Sequence, residues 1–414
     1  MRRDFAFTAV SIASRLLVST FLFILLARLW GPGQFGVFTY VFSVCALLML
    51  IVDFGFSTFL IREIAAEPER AVTLIAQGLR AKLLLTGVMT VVALGPLLIL
   101  DADVLPRGMY VLLLLSTLAL SFAEFCSGPL RALGRYDLET MTTAVGNGFQ
   151  FAAAGGVAWL GGTPTEVAGA MLLSRCVFFA ATWWALARVV PLRSTRPVDG
   201  DTRGLLRQLW PYGVDGAMTA FWNLIDIVAI RSIFGDNAVG LYAAGQKYVQ
   251  GAAALTPLVG NVMIPQLAQR SQRRAPDTRR VACLAGLLML GVGALLAAPL
   301  FLFPQWVSAF LFGPDYASLA RWLPLFGAIL LARFFSAAFG MVLTAIGLQS
   351  KRVIGQVIAL ACYGVAILGV AVSGWGVAAA IAAMLFATLA LGIAHAILLL
   401  KAASRGLAAP QREA

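Results

Sequence analysis

Apolar stretches of about 20 residues recur along this chain from residue 7 almost to residue 400. At a rise of ~1.5 Å per residue, each stretch is long enough to cross a hydrocarbon layer of ~30 Å as a helix. The runs are continuous, whereas barrel strands would alternate apolar and polar residues, so they predict helices. With 60% hydrophobic and 12% charged residues, most of the chain must face lipid. We predict an all-α polytopic membrane protein with about twelve spans, at 7–29, 37–60, 81–100, 109–130, 141–161, 167–187, 210–231, 240–266, 281–303, 322–345, 353–373 and 377–400.

The basic residues define the orientation of these spans. Net charge is +12, and most Lys and Arg residues lie at the N-terminus, in the even-numbered loops and after the last span. Arg62, Arg70, Arg80 and Lys82 are assigned in this way to the loop after the second span. Under the positive-inside rule this places both termini in the cytoplasm. Because topology explains the charge, nucleic acid is not an expected partner.

The chain divides into two predicted six-helix lobes. An N-terminal lobe covers 1–190, a cytoplasmic linker covers 191–209, and a C-terminal lobe with a short cytoplasmic tail covers 210–414. Each lobe starts and ends in the cytoplasm, as parallel repeats related by an axis along the membrane normal would do. A local match supports the repeat, since Gly31, Gly36 and Phe38 recur with the same spacing as Gly235, Gly240 and Tyr242. We expect a shared tight turn, with the aromatic ring at the headgroup boundary.

Eight ionisable residues lie well inside the predicted spans. An insertion scale assigns each a cost of roughly 3 kcal/mol when it faces lipid, so we expect them to face one another or a wet interior. On span seven the acids share a helix face, and span one carries a similar polar stripe. Such faces suit a cavity between two lobes. The eight residues are Arg15, Asp53, Glu124, Arg175, Asp215, Asp226, Lys247 and Arg333.

Two of the possible ion pairs join residues of one hairpin. Arg15 and Asp53 lie at similar distances from the first outer turn, as do Asp226 and Lys247 around the turn near residue 236. Structural pairing and a functional role are both open for these four residues.

The other internal charges differ in their surroundings along the chain. Glu124 and Arg131 stand at i and i+7 on one helix face, which favours a structural pair. Arg175 and Arg333 have no acid in their own hairpins, so an anionic ligand is the preferred interpretation, with a wet cavity or an acid from another helix as the alternative.

Motifs for enzymatic chemistry are absent from the sequence. There is no phosphate-binding P-loop, and the five cysteines and the single histidine, His395, have no metal-ligand spacing. We expect no metal and no cofactor. Two Asp-x-Asp strings, Asp101 with Asp103 and Asp199 with Asp201, are weak signals for a membrane-embedded transferase. An enzyme is therefore not expected.

Six segments, taken in order, resemble the polysaccharide-export flippases of the Wzx type, within the multidrug/oligosaccharidyl-lipid/polysaccharide (MOP) exporter superfamily. This resemblance implies a MOP/MATE-like pair of six-helix lobes that open alternately to each side. It implies transport of a polyprenyl-pyrophosphate-linked oligosaccharide from the cytoplasmic to the periplasmic leaflet of a bacterial inner membrane. The segments are ARLWGPGQFGVF (27–38), DFGFSTFLIREIA (53–65), LRALGRYD (130–137), DIVAIRSIFGDNAVGLYAAGQK (226–247), LFGPDYA (311–317) and TAIGLQSK (344–351).

The resemblance also assigns expected roles to the internal charges. Arg15 and Lys247 are expected to contact the head group, with Arg175 and Arg333 as secondary contacts. Ion coupling is expected of Asp53 or Asp226, with Asp215 and Glu124 as further candidates. Expected partners are the lipid-linked oligosaccharide, membrane lipids, a glycan polymerase and the export machinery. The acids leave open a cation-coupled multidrug antiporter of the same superfamily, and a glycan polymerase or transferase is the third alternative.

Overall fold

The computed structural model of the chain describes residues 2–101, 105–191, 202–273 and 277–404. Within these ranges there are fourteen α-helices, two 3-10 helices at Pro68–Arg70 and Pro314–Arg321, and no strand. The predicted all-α class is confirmed. The helices are α1 (Arg2–Asp53), α2 (Phe56–Ala66), α3 (Ala71–Ile99), α4 (Arg107–Ala132), α5 (Tyr136–Trp159), α6 (Pro164–Val189), α7 (Thr202–Phe234), α8 (Asp236–Ala253), α9 (Thr256–Gln272), α10 (Thr278–Leu302), α11 (Pro304–Phe312), α12 (Leu323–Ala345), α13 (Gln349–Ser373) and α14 (Val377–Ser404).

The helices coincide with the twelve predicted spans. α1 carries the first span and most of the second, and the eighth predicted span consists of α8 and α9. Length and hydropathy single out eight candidate membrane spans among the described residues, and the first of these, Val18–Ala66, covers the second predicted span and the C-terminal half of the first. The predicted spans at 141–161, 210–231 and 240–266 coincide with helices that are more polar. Twelve spans are therefore consistent with the observed helices.

Two glycines in corresponding turns have the same backbone conformation. Gly31 interrupts α1 with φ 69° and ψ 174°, and Gly235 precedes α8 with φ 82° and ψ −173°. Positive φ at this ψ is accessible mainly to glycine, so the sequence match reflects a shared local structure.

The aromatic residues of that match are enclosed by the protein, and their expected depth at a headgroup boundary stays a prediction. Phe38 and Tyr242 are fully buried. The Phe38 ring packs 5.3 Å from that of Trp30, and the Tyr242 ring packs 5.5 Å from that of Phe326. Each ring packs between helices inside its own unit. Burial of the ring against another aromatic ring stabilises that packing.

The helices form two compact units, Met1–Val228 and Ala229–Ala414, so the division falls inside α7. In the first unit, α4 packs against α1 and α6, and α5 packs against α1 and α6. The start of α7 belongs to this unit because it packs on the turn between α1 and α2. There a Cβ on Gly55 (φ 77°) would lie 2.6 Å from the Gly213 nitrogen. The predicted lobe boundary at 191–209 lies earlier in the chain.

In the second unit, α12 packs against α8, α9, α10, α13 and α14. Phenylalanine rings of α12 lie directly on glycines of three of these neighbours. A Cβ would come within 2.4 Å of Phe326 at Gly245 and within 2.7 Å of Phe334 at Gly293. Small residues at such crossings let membrane helices approach closely, which is how α12 becomes the buried centre of its unit.

Candidate functional site

The structure distributes the predicted site residues over several helices. Asp53 ends α1, Glu124 lies in α4 and Arg175 lies in α6, all in the first unit. Lys247 and Arg333 lie in α8 and α12 of the second unit. The side chains of Arg15 and Asp215 lie outside the described residues. The roles predicted for these two residues therefore stay predictions.

Lys82 forms the centre of a buried polar cluster that the sequence did not reveal. Its side chain is 1% exposed, and its ammonium lies 3.1 Å from Asp53 Oδ1, 3.3 Å from the Val52 carbonyl and 2.6 Å from Ser121 Oγ. The Ser121 hydroxyl in turn donates to Asp53 Oδ1. The assignment of Lys82 to the loop after the second span was wrong: α3 starts at Ala71, so Lys82 lies about three turns inside the helix and is buried in the helix packing.

Aromatic rings complete the surroundings of this ammonium. Its nitrogen lies 5.6 Å from the ring centroid of Phe56, 5.3 Å from that of Phe122 and 5.8 Å from that of Phe125. The faces of such rings attract cations, which adds to the stabilisation by Asp53. Among the described side chains, Lys82 is the cation paired with Asp53, and the predicted pair of Arg15 with Asp53 stays a prediction.

A cavity of about 310 Å³ opens beside this pair. The acids Asp53 and Glu124 belong to its lining, as do Gly213 and Gly216 of α7. Asp53 is half exposed there, with 52% of its side chain accessible, whereas Lys82 is closed off. Both residues border the cavity, and the acid is much the more accessible of the two.

Arg175 lies in different surroundings. Its side chain is buried, Nη1 donates to Ser116 Oγ at 3.2 Å, and the guanidinium carbon lies 5.7 Å from the Phe42 ring centroid. Nε is buried and has no hydrogen-bond partner among the described residues. A buried guanidinium with an unsatisfied donor is costly, so this arrangement indicates a place for a ligand or water.

A second cavity of about 280 Å³ lies against Arg175. Its polar lining consists of hydroxyls, amides and the carboxylate of Glu124. Asn147 Nδ2 is also buried without a partner in the described part of the chain. The hydroxyls and amides can donate to an anion or to sugar hydroxyls. The polar residues beside Arg175 are Ser19, Glu124, Thr143, Asn147 and Gln150.

Glu124 contributes to both cavities. Arg131 Nη2 lies 3.7 Å from Glu124 Oε2, and about a quarter of each side chain is exposed. The predicted same-helix pair is therefore observed. Glu124 is also the one acidic side chain that the linings of both cavities share.

The structure also gives contacts for Asp226 and Lys247, two further residues of the predicted site. Asp226 is fully buried and accepts the Ile227 backbone N–H at 2.8 Å. Lys247 is partly buried and donates to Gln250 Oε1 at 3.3 Å. The predicted pairing of Asp226 with Lys247 stays a prediction.

A polar cluster around His395 in the second unit was not anticipated. His395 is buried in α14 with Nδ1 at 3.3 Å from Ser336 Oγ, and Arg352 Nη1 donates to Thr344 Oγ1 at 2.9 Å. A Cβ on Gly355 would lie 2.9 Å from the His395 ring. The sequence signals for this cluster were the polar residue His395 in an apolar helix and the glycine Gly355 in the neighbouring helix. Periodicity alone does not show that these two helices are in contact.

Comparisons with known proteins agree with this architecture. The family model described as "Polysaccharide biosynthesis protein" matches residues 1–271. No curated protein matches the chain.

Solved transporter structures are similar over nearly the whole length. An inward-facing multidrug resistance MATE family transporter of the MOP superfamily is 18% identical, with TM-score 0.69, covering 94% of this chain and 95% of its own. The eukaryotic MATE transporter AtDTX14 is 12% identical, with TM-score 0.67 and coverage of 98% and 97%. An outward-facing MATE family transporter is 17% identical, with TM-score 0.67 and coverage of 98% and 96%. At these identities the likeness establishes a MATE-like fold.

Proposed function

Because the chain belongs to the polysaccharide biosynthesis protein family and is a MOP-superfamily membrane transporter, we propose that it is a flippase for a lipid-linked glycan. Its substrate is a polyprenyl-pyrophosphate-linked oligosaccharide, moved from the cytoplasmic to the periplasmic leaflet by alternating access. The protein resides in the bacterial inner membrane with both termini in the cytoplasm. Glycan polymerase and export machinery act on the product.

The observation that carries this proposal is the cavity at Arg175. It combines a buried guanidinium that has an unsatisfied donor with hydroxyl and amide side chains such as Thr143, Asn147 and Gln150. A pyrophosphate is anionic and a glycan offers many hydroxyls, so this lining complements both parts of the head group.

The physical problem of transport explains why such a lining is needed. Charged and polar groups cross hydrocarbon at a high free-energy cost, whereas the apolar prenyl tail dissolves in it. A wet, cationic surface lowers the cost for the head group alone. We propose Arg15 and Lys247 as head-group contacts, Arg175 and Arg333 as further ones, and Asp226, Asp215 and Glu124 as candidates for ion coupling. Asp53, the other candidate expected from the sequence, is already paired with Lys82.

Gene deletion in the host tests this role. We expect loss of surface polysaccharide and accumulation of the lipid-linked oligosaccharide on the cytoplasmic side, both restored by the wild-type gene. Resistance to lipophilic cations should not change. Normal surface polysaccharide together with new sensitivity to lipophilic cations would contradict the proposal.

That opposite result would support a cation-coupled multidrug antiporter. The structural neighbours include multidrug resistance transporters, and the first unit exposes the carboxylates of Asp53 and Glu124 to a cavity. A third candidate, a glycan polymerase or transferase, would require that the purified protein forms glycosidic bonds, and we expect none.

A further inference from the structure

We propose that Lys82 is a tethered cation that permanently fills an inorganic-cation site formed by Asp53, Ser121 and the Val52 carbonyl. In this chain the site is therefore closed to sodium, potassium or other small external cations. This inference concerns the ionic requirements of the first unit and does not rest on the identity of the transported substrate.

The ligands around the Lys82 ammonium are those that a hard metal cation would take. A carboxylate oxygen, a hydroxyl oxygen and a backbone carbonyl oxygen lie at 3.1, 2.6 and 3.3 Å from Nζ. Oxygen donors of these three kinds form the usual coordination sphere of alkali and alkaline-earth ions in proteins. Lys82 thus supplies a positive charge where the protein has arranged an oxygen-lined site.

The match between donors and acceptors is complete. An ammonium has three N–H groups, and three oxygens accept from it. Ser121 accepts from Lys82 and donates to Asp53, so its hydroxyl joins the two charges. An external cation would have to displace a group whose hydrogen-bonding capacity is already satisfied.

The site is positioned as an ion site of a transporter would be. Asp53 lines a cavity of about 310 Å³ and is half exposed in it, so an ion in that cavity can reach the carboxylate. Lys82 also borders this cavity, but only 1% of its side chain is exposed. The rings of Phe56, Phe122 and Phe125 surround the ammonium and favour a bound cation over an empty space.

Removal of the tethered charge should convert the site into one that binds ions from solution. Lys82→Ala removes both the ammonium and its four-carbon stem, leaving space beside an acid and two further oxygen ligands. Lys82→Met removes the charge but keeps most of the volume. Lys82→Ala therefore gives an open site, and Lys82→Met gives a site that is still filled, but by an uncharged side chain.

The experiment measures the melting temperature of the purified full-length protein in sodium, lithium, potassium or choline chloride at equal ionic strength. Choline is too large for the site and serves as the reference cation. A ligand that binds the folded state raises the melting temperature in a concentration-dependent way. Methylammonium, the head group of the missing lysine, is included as a fifth probe.

We expect the wild type to show no cation response that Asp53→Asn removes, so that any response at the ion-coupling candidates Asp215, Asp226 and Glu124 serves as the baseline. Lys82→Ala should melt several degrees higher in at least one alkali cation or in methylammonium than in choline. Lys82→Met should show no such difference. The double variant Lys82→Ala with Asp53→Asn should lose the response, because the carboxylate ligand is gone.

Two results would overturn the inference. The first is a folded Lys82→Ala protein that responds to none of the cations. The second is a cation response of the wild type that Asp53→Asn removes, because Asp53 would then bind an external cation while Lys82 is present. If Lys82→Ala does not yield folded protein in any salt, the wild type and Asp53→Asn still decide between a closed and an open site.

Discussion

Lys82 and Arg175 are both buried cations of the first unit, and their surroundings differ in one decisive respect. Each donates to a serine of α4, Ser121 or Ser116, and each lies near aromatic rings. Lys82, however, has three accepting oxygens, one of which belongs to a carboxylate, whereas Arg175 has an Nε without a partner among the described residues.

The difference indicates two different uses of buried charge. A cation with a complete set of internal partners stabilises the helix packing and leaves nothing for a ligand. A cation with a missing partner at the wall of a polar cavity is a net cost to the fold unless something binds there. We therefore assign a structural role to Lys82 and a ligand-binding role to Arg175.

The largest effect on stability is expected from removal of the acid that faces Lys82. Asp53→Ala leaves a fully buried ammonium without its counter-charge and should lower the free energy of unfolding by about 3–5 kcal/mol. The measurement is denaturant unfolding of the detergent-purified protein.

Asp137 provides a matched control for this substitution. Its side chain is 50% exposed, close to the 52% of Asp53, but its partner Arg135 is itself 44% exposed. Asp137→Ala should change stability little, because both charges remain in water. Equal losses in the free energy of unfolding for the two variants would show that burial of the cation does not determine the effect.

A smaller difference is expected between the two serines. Ser121→Ala removes the acceptor of one Lys82 N–H and a donor to Asp53, which should cost about 1.5–3 kcal/mol. Ser116→Ala removes a single hydrogen bond at 3.2 Å from a guanidinium that is already unsatisfied and should cost about 1 kcal/mol. The same unfolding measurement ranks them. A larger loss for Ser116→Ala would show that Arg175 is the more tightly held of the two cations.

Arg175→Met should separate function from stability. Replacing a buried, incompletely paired charge with an apolar side chain of similar length should leave the free energy of unfolding within about 1 kcal/mol of the wild type. Surface polysaccharide in the complemented deletion strain should nevertheless fall about tenfold, which corresponds to about 1.4 kcal/mol. Full polysaccharide production by Arg175→Met would show that Arg175 is not needed to bind the ligand.

The smallest effect on stability is expected at Glu124. Its pair with Arg131 is about one quarter exposed on each side and has a separation of 3.7 Å, so Glu124→Gln should cost about 0–1 kcal/mol. Arg131→Gln is the control, because it breaks the same pair and leaves the cavity acid in place. A selective loss of polysaccharide production in Glu124→Gln would show that the acid acts in transport.

Much of this architecture was accessible from the sequence because membrane helices must satisfy their backbone internally. Apolar length predicted the spans, and the repeated glycine spacing predicted that Gly31 and Gly235 share a conformation. The pair of Glu124 with Arg131 was also predictable, because both residues lie on one face of one helix and a fixed periodicity relates them.

The site itself was less accessible, because it depends on how different helices are aligned. Asp53 and Lys82 are 29 residues apart on two helices, and hydropathy does not show how far α3 extends before its apolar run. The enclosure of Phe38 and Tyr242 by the protein was not predicted either, because aromatic residues serve interfaces and interiors equally well. In both cases the neighbouring helix decides the environment, and single-chain periodicity does not identify that neighbour.

Reconstitution of the purified protein into liposomes with a fluorescent polyprenyl-pyrophosphate oligosaccharide tests whether the protein moves the glycan and whether Arg175 takes part. The measured quantity is the rate at which the glycan becomes accessible to a quencher in the opposite compartment. We predict rapid transfer by the wild type and by Arg188→Met, which alters an exposed cation of the same helix, and transfer at least about tenfold slower by Arg175→Met. No transfer by the folded wild type would contradict the flippase function. Equal rates for the wild type and Arg175→Met would contradict the ligand-binding role of Arg175.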